Sequence, residues 1–266
     1  MKLPSVTILI ANYNDEEYLD RAIESAFNQD YNGPLSICIV DDGSTDNSWD
    51  VIGSHFVDCA TSGDGVKYND LKIYTEHNIG RFDNTTYIVI RQPNGGPSAA
   101  RNTGIEHTLN DTDIYAILDS DDEMYENKVS ECVSVFEKGG EMIGAVYADY
   151  DTFHTSTKKI IREYKEPFNR RRLVRECIVH SGALISKKAL EKTWEENGYY
   201  DKTMRTCEDY DLWMRISEKF IIAHVPKSLT MVRVTGDNSS FIVNQEIWQK
   251  NWLRVMEKMQ ARNANN

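Results

Sequence analysis

The sequence predicts an α/β fold, a mostly parallel, mixed sheet flanked by helices. Three observations predict it. Short apolar runs alternate with segments of helical periodicity through residues 5–136, the pattern of strand–helix units. The runs are nearly continuous, as expected of strands covered on both faces. Four successive runs end in polar turns, at residues 12–15, 41–46, 92–96 and 119–122.

The elements follow in order. Ser5 to Ala11 is the first strand, and Tyr18, Leu19, Ala22, Ile23, Ala26 and Phe27 recur at helical spacing behind it. Leu35 to Val40 is the second strand. The helix after it carries Trp49, Val51 and Ile52, with Ser44 or Asp46 as its cap. Residues 57–86 are polar and rich in Gly, Asp and Asn, with a weak strand signal at Leu71 to Tyr74; they read as an insertion or long surface loop. Tyr87 to Arg91 is the next strand and Ser98 to Leu109 the next helix. Ile114 to Leu118 is a strand, and Val129, Cys132, Val133 and Phe136 mark a helix. Beyond a strand at Ile143 to Tyr147 the pattern loosens. Tyr150 to Ile161 reads as a hairpin or one extended strand. Helices are expected at Ser186 to Glu196 and Glu208 to Phe220, and short strands at Ile221 to Val225 and Leu229 to Val234. A final helix spans Asn244 to Arg262 and sets Ile247, Trp248, Trp252, Val255, Met256 and Met259 on one face.

Composition narrows the function. The formal net charge of −12 argues against nucleic acid as a partner, because phosphate backbones demand basic surface. A phosphorylated small molecule would need local help from a metal, an arginine or backbone N–H groups. No run of 18 apolar residues reads as a membrane span. The five cysteines, Cys38, Cys59, Cys132, Cys177 and Cys207, form no CxxC pair, so neither a zinc site nor a disulfide framework is indicated. The expected setting is reducing and cytoplasmic, at the inner face of the membrane if the last helix touches lipid.

The acidic cluster Asp119-Ser120-Asp121-Asp122 carries the sharpest chemical signal. Two like charges 4 Å apart repel by about 4 kcal/mol at an effective dielectric near 20. A hard divalent cation, Mn²⁺ or Mg²⁺, offsets that repulsion with oxygen ligands. Positions six and twelve counted from Asp119 are Met124 and Ser130, so an EF-hand loop is excluded. Neither a Walker A loop nor a GxGxxG is present. The other polar ends have plainer readings beside the functional one. Asp41-Asp42-Gly43-Ser44 also makes a tight turn with a helix cap. Asn94-Gly95-Gly96-Pro97 is a turn whose N–H groups could face a phosphate, and Arg101 is a ligand contact or a solvated side chain. Glu208-Asp209 at a helix start is favoured by the dipole and equally suits a general base. In open α/β sheets, polar strand ends that converge form the ligand crevice.

Taken together, Val6-Thr7-Ile8-Leu9-Ile10-Ala11-Asn12-Tyr13-Asn14, Ile39-Val40-Asp41-Asp42-Gly43-Ser44-Thr45-Asp46, Asn94-Gly95-Gly96-Pro97-Ser98-Ala99-Ala100-Arg101-Asn102-Thr103-Gly104, Leu118-Asp119-Ser120-Asp121-Asp122, His180-Ser181-Gly182-Ala183 and Glu208-Asp209-Tyr210-Asp211-Leu212-Trp213 resemble a family 2 glycosyltransferase. The resemblance covers about residues 5–235. It implies a GT-A, Rossmann-like fold over 1–235, with a nucleotide-binding half (1–122), a smaller acceptor-side half (123–235) and a helical extension (236–266). It implies that Ala11, Asn12, Tyr13, Asn14, Asp41 and Asp42 hold the base and ribose, and that Asn94, Gly95, Gly96 and Arg101 border the nucleotide pocket. Asp119-Ser120-Asp121 matches the DxD motif, with Asp121 and Asp122 as metal ligands. Asp209, with Glu208 beside it, matches the catalytic base, and His180 and Ser181 lie near the transferred sugar. Some relatives carry Thr where Ala11 stands, which removes one hydrogen bond to the base.

The implied activity is inverting, metal-dependent transfer from a nucleotide-diphosphate sugar, UDP-linked by family habit, to a hydroxyl of a glycan or lipid-linked acceptor. Two alternatives stay open on the residues: a nucleotidyltransferase, and a non-catalytic nucleotide-sugar-binding module. The basic run Arg170 to Arg175 is a solvated face or a contact for a phosphorylated acceptor. The last helix is packing, or, with Lys250, Arg254 and Lys258, a peripheral membrane contact or homodimer face.

Overall fold

The computed structural model describes residues 2–55, 66–68, 71–77, 85–236 and 245–264. Its strands are β1 (Val6–Asn12), β2 (Leu35–Asp41), β3 (Val66–Tyr68), β4 (Leu71–His77), β5 (Thr85–Arg91), β6 (Ile114–Asp119), β7 (Glu123–Met124), β8 (Ile143–His154), β9 (Lys159–Glu163), β10 (Leu184–Ser186) and β11 (Ile221–Val234). Its helices are α1 (Leu19–Phe27), α2 (Ser48–His55), α3 (Pro97–Thr108), α4 (Lys128–Gly139), α5 (Arg170–Leu173), α6 (Lys187–Thr193), α7 (Glu208–Lys219) and α8 (Gln245–Ala264). The strands form one sheet in the order β3-β4-β5-β2-β1-β6-β10-β8-β11-β7, with β9 paired to β8.

The parallel core is β5-β2-β1-β6, in register Leu9↔Cys38 and Leu9↔Ile117 across β1. Its apolar runs serve both faces. Ile8 and Ile10 pack with Leu19 and Ile23 of α1 and Val129 and Val133 of α4. Leu9, Val40 and Ile117 pack with Ile105 of α3, Leu190 of α6 and Trp213 of α7. Two-sided burial explains why these runs lack alternation. All four strands run the same way, so their polar ends emerge on one edge of the sheet.

Away from this core the sheet becomes mixed. The three-residue β10 runs antiparallel to both β6 and β8, while β11 runs parallel to β8. The segment 143–163 is a hairpin of β8 and β9. Strand β11 is continuous, not two strands; its register shifts between Val225 and Ser228 take up Pro226, which has no N–H to give the ladder. The 57–86 segment, expected as an insertion or loop, supplies β3 and β4, paired antiparallel at the β5 edge. Residues 56–65, 69–70 and 78–84 lie outside the described residues.

Helix α8 packs on α7. Val255 and Met256 are buried in the same core as Tyr210 and Leu212, and Trp252 and Met259 pack against it. Lys258 Nζ reaches Asp201 (2.9 Å), Asp211 (3.0 Å) and Glu195 (3.0 Å), and Arg254 reaches Asp201 at 3.3 Å. Of the cations expected as a lipid or dimer face, Lys258 is held on these acids, while Arg254 pairs with Asp201 and stays partly exposed. Ile247, Trp248 and Leu253 stay exposed. Among the described residues no helix is long and apolar enough to cross a membrane.

Candidate active site

The turns after β1 and β2 interlock. Asn12 Nδ2 donates to Asp41 Oδ1 and to Ser44 Oγ, each at 3.1 Å. The Asn14 N–H donates to Ser44 Oγ (3.0 Å), and Asn14 Oδ1 accepts from the Thr45 N–H (2.8 Å). Asn14 takes a φ of 57° to do so, a conformation Asn tolerates better than most residues. Asp41 is fully buried, with Arg91 Nε 3.2 Å from its Oδ2. Arg91 lies in turn over the Trp49 ring. Asn12 and Asp41 thus brace the turns from within. Ala11 is partly buried, and Tyr13 presents a half-exposed ring at the rim.

Asp42 organises the next turn. Its carboxylate accepts from Gln92 Nε2 (2.6 Å), the Gly95 N–H (3.0 Å) and the Gly96 N–H (2.7 Å). The N–H groups expected to face a phosphate are therefore already given to Asp42. A buried carboxylate needs donors, and these are the ones within reach. Burial raises the Asp42 pKa, and the three hydrogen bonds oppose that rise. Gly96 caps α3 at a φ of 88°, a region that favours glycine. Asn94, between them, is exposed.

The acidic cluster splits into distinct roles. Asp119 Oδ1 accepts from Arg101 Nη2 (2.8 Å) and its Oδ2 from Ser181 Oγ (2.9 Å). Burial works against the Asp119 charge, but Arg101 and then Ser181 hold its pKa below the usual carboxylate range. The Ser120 hydroxyl donates to Asp15, tying the β6 end to the β1 turn. Asp122 is buried and accepts the Arg233 N–H at 2.9 Å. Burial, with Asp121 and Asp119 adding, pushes its pKa well above the ordinary value. Asp121, like Asp119, is partly exposed. Among the described residues no three His, Cys, Asp or Glu side chains gather into a ready ligand set.

Arg101 joins the two acidic segments. Its side chain is buried, with Nη2 on Asp119 and Nη1 on Glu208 Oε1, both at 2.8 Å. Tyr200 lies under the guanidinium. Burial opposes its charge, and Asp119 and Glu208 outweigh burial to raise its pKa. Asp209, next in the chain, is not part of that bridge. Burial, then the neighbouring Glu208 charge, pushes its pKa up to about 7. Its Oδ1 accepts the Tyr210 N–H at 2.7 Å.

His180 and Ser181 lie in the turn before β10. His180 Nδ1 accepts the Gly182 N–H at 3.1 Å, and the ring packs on Tyr150 with centroids 4.5 Å apart. Burial, with Lys128 nearby, pulls the His180 pKa down to about 3, so the imidazole is neutral and Nε2 carries its proton. Among the described residues, no side-chain hydrogen bond or ion pair joins the arginines of Arg170 to Arg175 to this cluster; α5 starts at an Asn169 cap, Arg172 pairs with Glu166 and Glu176, and the Leu173 carbonyl accepts from the Tyr210 hydroxyl.

Sequence reasoning missed several of these parts. Arg233, over a hundred residues beyond Asp121, donates to the Asp121 backbone carbonyl (3.1 Å) and to Glu123 (2.5 Å). Lys128, buried on the first turn of α4, donates to Thr230 at 2.7 Å. Nothing local in the sequence marks either one. Gln92 and Ser44 stood inside the quoted turns, but their partners come from another strand.

Comparisons with known proteins place the chain in a family and a fold. The model of Glycosyl transferase family 2 matches residues 7–194. The chain is 27% identical over 260 residues to chondroitin synthase of Pasteurella multocida (strain Pm70), covering 97% of this chain and 23% of that protein. It is 27% identical over 262 residues to chondroitin synthase of Escherichia coli, covering 98% and 33%. The chain therefore spans about a quarter to a third of the length of these curated relatives. Among solved structures, S. aureus TarS 1–349 in complex with UDP-GlcNAc superposes with a TM-score of 0.66 at 15% identity, over 97% of this chain and 65% of that one. The mannosyltransferase PcManGT from Pyrobaculum calidifontis, in complex with GDP-Man and Mn²⁺, gives 0.60 at 16%, over 99% and 65%. At these identities the structural likeness speaks for the fold.

Proposed function

The chain belongs to glycosyl transferase family 2, and from that premise we propose that it transfers a sugar, with inversion, from a nucleotide-diphosphate sugar to a hydroxyl of a glycan or lipid-linked acceptor. One observation carries the reading. Arg101 joins Asp119, at the exit of β6, to Glu208, the immediate neighbour of a carboxyl whose pKa is near 7. A general base is most effective when its pKa lies near the working pH, and Asp209 meets that requirement. A binding module has no need of such a group.

Asp209 takes the proton of the acceptor hydroxyl as that oxygen attacks the anomeric carbon opposite the leaving diphosphate. Glu208, paired with Arg101, positions this helix start, and its charge beside Asp209 helps to raise the pKa of the base. The braced turns at Asn12–Asn14 and Asp41–Asp42, with Tyr13 at their rim, are the proposed seat of the base and ribose. A UDP donor is favoured by the TarS complex with UDP-GlcNAc, and a glycan acceptor by the chondroitin synthase relatives.

Asp121 is the residue best suited to hold Mn²⁺ or Mg²⁺, since Asp122 is buried against the Arg233 N–H. The residues fit such an ion: one or two carboxylates with substrate phosphates and water complete the shell of a hard cation. When bound, the ion supplies charge neutralisation for the departing diphosphate. The test is a product assay with UDP-, GDP- and dTDP-sugars in the presence of Mn²⁺. Asp209→Asn should give no product while still binding nucleotide; near-normal turnover in that variant would reject the assignment.

A further inference from the structure

We propose that the C-terminal helix α8 is part of the catalytic machinery, and that Asn251 is a positioning residue for Asp209, acting through Thr206. The inference rests on the reading of Asp209 as the base.

Asp209 sits in the first turn of α7, behind a loop that starts at Asp201. Helix α8 grips this stretch on both sides of Asp209 without being bonded to it. On the upstream side, Asn251 Nδ2 donates to Thr206 Oγ1 at 2.7 Å, three residues before Asp209. Arg254 holds the loop at Asp201 Oδ2 (3.3 Å) and also binds the Thr203 carbonyl at 3.4 Å. On the downstream side, Lys258 Nζ donates to Asp211 Oδ2 (3.0 Å), two residues after Asp209, and to Asp201 Oδ2 (2.9 Å). Asp211 is fully buried and also holds Arg215 Nε at 2.9 Å. Val255 and Met256 fill the core between these polar grips.

The junction being gripped is conformationally unusual. Cys207, the residue between Thr206 and Glu208, is in the left-handed region with a φ of 61°. A non-glycine residue there persists only when its surroundings over-determine it. The Cys207 conformation sets the direction in which α7 leaves the loop, and so where the Glu208 and Asp209 carboxyls stand. The Thr206 hydroxyl, fixed by Asn251, anchors the residue directly before Cys207. Catalytic groups depend steeply on placement: an error near 1 Å can cost about a hundredfold in rate. The nucleotide-side turns at Asn12–Asn14 and Asp41–Asp42 are fastened among β1, β2 and β5, and Arg101 keeps its second anchor on Asp119, so disturbing Asn251 should fall chiefly on kcat.

The experiment is a double-mutant cycle on the full chain with Asn251→Ala, Thr206→Ala and the pair, measuring kcat and the KM for the donor, with melting temperature as a folding control. Expected are a kcat fall of at least tenfold in each single variant, a donor KM within twofold of the parent, and a double variant no worse than the single ones, since both remove the same link. An unchanged kcat in a folded Asn251→Ala protein overturns the proposal, as do losses that multiply in the double variant or fall on KM instead. Asp209→Asn, run in the same assay, separates the two readings. If it keeps turnover, the base assignment fails. If it loses turnover while Asn251→Ala does not, only the positioning role fails.

Discussion

Arg101 and Glu208 form a buried ion pair, Nη1 to Oε1 at 2.8 Å, and the other end of the same guanidinium holds Asp119 at 2.8 Å. One side chain therefore sets the spacing between the end of β6 and the start of α7. A planar fork is needed to reach both carboxylates. Arg101→Lys keeps the charge but loses one of the two bonds, and turnover should fall by about a hundredfold in a folded protein. Arg101→Ala leaves the buried Glu208 and the partly buried Asp119 without their cation, and breaking a buried pair typically costs about 3–5 kcal/mol. Urea unfolding checks the second effect, and equal stability of the Lys and Ala variants would contradict it.

The raised pKa of Asp209 has opposite consequences for rate and for stability. The base must be ionised, so kcat/KM should fall below a midpoint near pH 7. For stability, the folded-state pKa lies above the unfolded value near 3.9. Between those values the native state holds the proton more tightly, so stability declines as pH rises from about 4 to 7. Below pH 4 the penalty is absent; above pH 7 it is complete. Asp209→Asn should therefore raise the melting temperature at pH 8 while abolishing transfer, and the gain should vanish at pH 4. A variant that melts lower at pH 8 contradicts the burial argument.

Asp42 is predicted to act as a turn organiser. Its carboxylate gathers Gln92 and the Gly95 and Gly96 N–H groups. Asp42→Asn removes the charge and puts a donor where only acceptors are wanted, at an expected cost of about 1–3 kcal/mol. Nucleotide affinity, read by calorimetry, should drop with it, since Gly95 and Gly96 lead into α3, which carries Arg101. Unchanged stability would show that the turn closes without this acceptor.

Asp121 is the group whose removal should separate metal from nucleotide. In the parent protein, Mn²⁺ should tighten donor binding and excess EDTA should reverse it. Asp121→Ala should bind donor with the same weak affinity in either condition. Calorimetry with and without Mn²⁺ checks this, and a variant that still responds to the ion removes Asp121 from the ligand set.

The parallel core was legible because two-sided burial leaves a plain mark: the strands 6–12, 35–41 and 114–119 are continuous apolar runs ending in polar turns. The polar ends and the Glu208-Asp209 pair were legible for the same reason, being charges placed where a chain leaves the core. Strand β10 left no such mark, since three residues are too few for a period to show. Strand β11 read as two because Pro226 looks like a break, and a bulge takes it up. The grips of Arg233 on Asp121 and Asp122, and of Asn251 on Thr206, were illegible for a different reason. Each joins residues far apart in the chain, and neither residue type is unusual at its position. The direction of the Gly95 and Gly96 N–H groups was lost similarly: the turn was visible, but its occupant, Asp42, comes from the turn after β2, some fifty residues earlier.

Gly182 tests how tightly the turn before β10 is built. A Cβ there would stand 3.1 Å from His180 Nδ1 and 3.2 Å from Lys128 Nζ, closer than such contacts normally come. Gly182 also donates its own N–H to His180 Nδ1, so the ring cannot retreat without losing that bond or its packing on Tyr150. Lys128 is equally confined, being buried and bonded to Thr230. Gly182→Ala should cost about 1–3 kcal/mol by overpacking and displace His180 from its place beside Ser181. If displacement of His180 is how it acts, Gly182→Ala and His180→Ala should each lower kcat, and the double variant should be no slower than the worse of the two. Independent, multiplying losses would mean that Gly182 is needed for some contact other than the one with His180.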